Sequence, residues 1–81
     1  MKEKIKLLWD FRGPNAQKIA QHHVVHLKEY ITLEKLEDTT ASFEDVSNMY
    51  AIAFIITRKQ YFDKLKNALK PHRGQVYKET K

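Results

Sequence analysis

The sequence predicts an α+β fold whose elements follow one another as β-α-β-β-α-β, and three observations support it. Lys4 to Phe11 and Met49 to Thr57 have strand character. Two other segments, one beginning near Asn15 and one running from Arg58 to Lys70, place apolar residues at helical spacing. Turn-forming residues stand at the junctions.

In the first strand Ile5, Leu7, Trp9 and Phe11 alternate with Lys6, Leu8 and Asp10, the period of a strand with one face in a core. Arg12-Gly13-Pro14-Asn15 stops it and starts a helix, since proline is tolerated in a first turn and Gly13 or Asn15 can cap it. The helix is expected to end between Ile31 and Leu36. Its apolar stripe comprises Ala16, Ile19, Ala20, His23, Leu27, Tyr30 and Ile31. Thr40 to Val46 reads as an acidic edge strand and Ser47-Asn48 as a turn. Met49 to Thr57, rich in isoleucine and aromatic residues, is the most strand-like segment. The second helix has Tyr61, Phe62, Leu65, Ala68 and Leu69 on one side. Pro71-His72-Arg73-Gly74 ends it, and Gln75 to Lys78 forms a last short strand.

Six elements in this order predict a ferredoxin-like sandwich: an antiparallel four-stranded sheet, order 4-1-3-2, with two helices on one face. The other face is then expected to be bare, with Tyr50, Ile52, Phe54, Ile56 and Leu8 forming an apolar patch. Such a patch usually marks an interface, so a homodimer packed sheet on sheet is expected.

With 81 residues the chain forms one domain with a thin core. A hydrophobic content of 42% is well above that of disordered chains. The absence of cysteine excludes disulfides, thiol catalysis and thiolate zinc sites. No apolar run approaches the roughly 20 residues of a membrane span, and no signal peptide is read, so a soluble cytoplasmic protein is expected. The net charge of +5 raises the question of a polyanionic partner, yet no block of five like charges occurs.

Tracing the strand directions brings Arg12 to Asn15, Ser47 to Met49, and Pro71 to Gly74 to one end of the domain. Asp10, Arg12, Asn15, His72 and Arg73 would gather there beside the start of the first helix. Two arginines, a histidine and a helix start suit a carboxylate or phosphate, so an anionic small molecule is the expected ligand. The plainer alternative is a set of turns with Asp10 paired to an arginine.

A second constellation lies in the first helix, where His22 and His26 are spaced i to i+4 and Glu29 falls on the same edge. Two imidazoles and a carboxylate could hold zinc with an open position. The segment is not H-E-x-x-H, so the metalloprotease reading fails. His23, near the centre of the apolar stripe, reads as a buried, hydrogen-bonded core histidine. An RNA-binding surface is a further alternative, with Tyr50 and Phe54 as stacking residues, but the glycines and basic lead residue of that motif are missing. Ser42 and Ser47 are the only serines and neither sits in a nucleophile-elbow context; Gly13 and Gly74 are the only glycines, too few for a phosphate loop. No cofactor motif or assignable catalytic residue emerges.

The segment Ile19-Ala20-Gln21-His22-His23-Val24-Val25-His26-Leu27-Lys28-Glu29-Tyr30 resembles the first helix of YCII-related and other dimeric α+β barrel proteins, in which a His-Leu-x-x-Tyr or Phe segment follows the first strand. The resemblance implies a sheet-to-sheet dimer, a pocket between sheet and helices, and acid-base work by His26 or His22 with Asp10. The Asp-Pro segment and the glycine-rich turn of that pattern are absent. The leading expectation is therefore a small binding or accessory domain, with the acid-base enzyme as its alternative.

Overall fold

A computed structural model describes residues 4–77. The elements are β1 (Lys4–Arg12), α1 (Ala16–Glu34), β2 (Thr40–Ser47), β3 (Tyr50–Arg58), a 3-10 turn over Lys59–Tyr61, α2 (Phe62–Leu69) and β4 (Arg73–Tyr77). The sheet order is β2-β3-β1-β4, with every neighbouring pair antiparallel. The fold is the expected β-α-β-β-α-β arrangement.

The core is built from the alternation in the two central strands. Register places Leu7 opposite Ile55, Trp9 opposite Ala53 and Phe11 opposite Ala51. At Trp9 and Phe11 bulky residues of β1 thus lie beside small ones of β3, and Ala16, Ala20, Val24 and Leu27 of α1 pack over the row, all buried. Close packing of this kind fills the interior without voids. Thr57, fully buried, has its hydroxyl satisfied by that of Thr39 at 2.8 Å. The Trp9 Nε1–H donates to the Leu69 carbonyl at 3.2 Å, which ties the last turn of α2 to β1.

Local chemistry sets the turns. Gly13 has φ +117°, a conformation that L side chains rarely adopt, and its N–H donates to the Met49 carbonyl at 2.8 Å. That bond joins the β1–α1 and β2–β3 connections, as the strand directions require. Lys35 ends α1 in the left-handed region, and the Leu36 N–H returns to the Ile31 carbonyl at 3.1 Å.

Several expectations are corrected. Arg58 is the last residue of β3, paired with Lys4, and its guanidinium donates to Asp38 at 2.6 Å; helical structure starts only after it. Met49 belongs to the turn, and β4 begins two residues earlier than expected because pairing with β1 reaches Arg73. Lys78 lies outside the described residues. In α1, Ile19 is 46% exposed and Val24 takes its place in the core.

No described helix covers the open face, as expected, but its apolar row is only partly exposed. Tyr50, Ile52, Phe54 and Ile56 are each half-buried and Leu8 is buried. Long cationic side chains lie across the row: the Lys6 ammonium is 4.3 Å from the Phe54 ring centroid and the Arg12 guanidinium 4.2 Å from that of Tyr50.

Candidate functional site

The polar end of the sheet is organised around Asp10. Its carboxylate accepts a two-pronged bond from Arg73, with Nε at 3.1 Å and Nη2 at 3.0 Å, and another from the Tyr50 hydroxyl at 2.6 Å. These partners lie on the open face because β1, β3 and β4 pair in register: Arg12 is opposite Tyr50, and Leu8 is opposite both Phe54 and Arg73. The Asp10 carboxyl is held below its ordinary value near 3.8, chiefly by the Arg73 hydrogen bond; partial burial opposes this, and Tyr50 and the charges of Arg73 and His72 reinforce it. The Tyr50 hydroxyl is correspondingly pushed up by its bond to Asp10.

A folded-state value below the unfolded one means this stabilisation is present above about pH 4 and lost as pH falls through the lowered value. An Asp10→Asn variant is therefore expected to lose less stability than the parent between pH 5 and about 3, followed by urea midpoints at each pH. The carboxylate is 20% exposed and its partner Arg73 48% exposed, so solvent screens the pair and the effect is small, under about 1 kcal/mol.

His72 extends the β1–β4 ladder with its side chain. The His72 backbone N–H donates to the Leu8 carbonyl at 2.9 Å, and the Asp10 backbone N–H donates to the His72 Nδ1 at 2.9 Å. An N–H can only donate, so Nδ1 presents its lone pair and the neutral ring carries its proton on Nε2. Arg12 has no carboxylate partner among the described residues and stacks on Tyr50. Asn15 precedes α1 but makes no side-chain cap bond and does not join the cluster. The structure thus brings together Asp10, Arg12, His72 and Arg73. Tyr50 was missed; in the register it stands directly across from Arg12.

A groove of about 720 Å³ runs between α2 and β4, from Pro71 and His72 to Val76. Its floor is apolar, made by Ile5, Leu7, Phe62 and Val76, and Lys4, Lys59 and Lys66 border it with Asp63. It exists because the helix layer leaves β4 uncovered: α2 is only eight residues long, and Val76 is 68% exposed. Gly74 keeps the floor open, since a Cβ there would lie 3.2 Å from Leu7 Cδ2 and 3.9 Å from Phe62 Cε1. Pockets of roughly 300–1,000 Å³ with apolar linings and a few polar groups are the usual small-molecule sites. His72 and Arg73 belong to both the groove and the Asp10 cluster.

His23 is wedged between Trp9 and Phe11, with ring centroids at 5.0 and 5.4 Å. The hydrogen bond expected of a core histidine is missing, because Nε2 is buried with no partner. Burial holds the ring below its ordinary value of 6.5, with His26 and His72 adding repulsion. Its contribution to stability is intact above pH 6.5 and lost as pH falls below that value. His23→Phe removes the unsatisfied nitrogen; a gain of about 1 kcal/mol at pH 7 and a flatter stability profile from pH 7 to about 5 are expected from chemical denaturation.

His22 and His26 share the solvent side of α1, with Nε2 atoms 3.1 Å apart, while Glu29 Oε1 lies 3.6 Å from the other nitrogen of His26, Nδ1. No group of three or more potential metal ligands converges among the described residues. His26 is on the solvent side of α1, whereas Asp10 is on the sheet face that α1 does not cover, so the suggested acid-base pair is not assembled. No described helix is long and apolar enough to cross a membrane. Comparison with protein-family models, with curated proteins and with solved structures finds no match.

Proposed function

We propose that the chain is a small-molecule-binding domain that takes an organic anion with an apolar body in the groove between α2 and β4. The observation that supports it best is the pairing of an apolar floor with a border of Lys4, Lys59 and Lys66 beside the acid Asp63, closed at one end by Arg73, itself held by Asp10. An apolar body gains by leaving water along Ile5, Leu7, Phe62 and Val76, at roughly 25 cal/mol per Å² buried. A charged head is met by the lysines and by the Nε2–H of His72, whose ring orientation is fixed by the bond from the Asp10 backbone. The cluster of Asp10, Arg73 and Tyr50 is a support: its carboxylate already accepts three donors, so it holds the end of the groove rather than acting as a base.

An anionic ligand fits this chain better than a second copy packed on the open face. Lys6, Arg12 and Arg73 stand on that face against Asp10 and Glu44, and Asp10 is already spent on Arg73. Two such faces would set like charges opposite one another, which costs association.

The test compares decanoate, decanol and decyltrimethylammonium by backbone amide shifts. Decanoate is expected to bind several-fold more tightly than the other two, with the largest shifts at Ile5, Phe62, Gly74 and Val76. Equal binding of the cation, or shifts confined to α1 or the open face, would overturn the reading.

A further inference from the structure

The structure assigns to α1 a two-imidazole clamp, His22 and His26, for a late first-row divalent cation such as Zn(II) or Cu(II), and we propose it as a site separate from the groove. Both rings are on the exposed side of the helix, one turn apart, with their Nε2 atoms 3.1 Å from each other. An ion about 2.0–2.1 Å from each nitrogen would subtend an angle of about 100° between them, within the range of tetrahedral and octahedral coordination. The helix supplies this spacing without further folding, because residues four apart lie one above the other.

Glu29 acts from behind. Its carboxylate is 3.6 Å from His26 Nδ1 and favours the proton there, which leaves the Nε2 lone pair facing His22. Metal-bound histidines are commonly oriented in this way by a carboxylate on the far nitrogen. Without metal the two Nε2 atoms are within N–H···N hydrogen-bond distance, and with the His26 proton on Nδ1 the donor is His22. Metal binding moves that proton to His22 Nδ1, so that both lone pairs meet the ion. With only two protein ligands the remaining positions stay with water, or with a donor from another molecule. Glu29 therefore sits outside the coordination sphere, unlike the three-ligand arrangement suggested by spacing alone.

The test titrates tag-free protein with Zn(II) alone, read by calorimetry and by the ring nitrogen shifts of the histidines. One ion per chain is expected, with the shifts confined to His22 and His26. His22→Gln and His26→Gln should each weaken binding at least tenfold, and Glu29→Gln a few-fold. Zn(II) should also raise the melting temperature of the parent but not of the double variant, because the ion staples one turn of α1. All three positions face solvent, and circular dichroism checks that the variants fold. Unchanged affinity in the double variant, or shifts at His23 or His72, would overturn the assignment.

Discussion

Replacing Ile55 by alanine is expected to remove a large share of the domain's stability. Ile55 is fully buried at the centre of β3, flanked in register by Leu7 and Ala41. Removing its outer carbons costs about 2–5 kcal/mol, the transfer term plus the cavity left behind. At 0.05–0.15 kcal/mol per residue, a chain of this length has roughly 4–12 kcal/mol in all, so the loss takes a large share. A fall in melting temperature of about 8–40 °C is expected by circular dichroism. Thr40→Ala, at the exposed start of β2, should change it little.

Gly74→Val is expected to abolish groove binding while keeping the fold. The new side chain would project from β4 between Leu7 and Phe62, where a Cβ alone comes within 3.2 Å of Leu7 Cδ2, which must give by a few tenths of an ångström. A β-branched residue suits an edge strand, so the melting temperature should move little, whereas the ligand loses the floor of its site. Decanoate affinity should drop at least tenfold, about 1.4 kcal/mol. Lys66→Glu, which reverses one charge at the border, should cost a smaller factor of about three to five. Retained affinity in Gly74→Val would place the ligand elsewhere.

The element order was legible because the two central strands carry it in their side chains: Ile5, Leu7, Trp9 and Phe11 alternate, and the β3 row alternates against them. The gathering of Asp10, Arg12, His72 and Arg73 was legible for a related reason, since strand direction alone brings those connections together. What failed depended on neighbours. Arg58 looks like a helix residue until its pairing with Lys4 and its bonds to Asp38 are known. The patch on the open face read as fully exposed because spacing does not reveal that the Lys6 and Arg12 cations lie over the Phe54 and Tyr50 rings. The groove had no sequence signature: it is the space left where a short helix fails to cover a short strand, and Gly74 reads as a turn residue until its approach to Leu7 is measured.

The two outer strands of this sheet have a bearing on how the protein behaves when concentrated. An open sheet offers unpaired backbone groups along both borders, and each border is a template on which another chain can polymerise. Here β2 is interrupted by a bulge between Asp45 and Ser47 and carries Glu44 and Asp45, while β4 pairs with β1 over five of the described residues. Beyond β4, the His72 ring occupies the Asp10 N–H that an incoming strand would seek. The chain thus keeps an unclosed sheet while giving fibril growth little to start from.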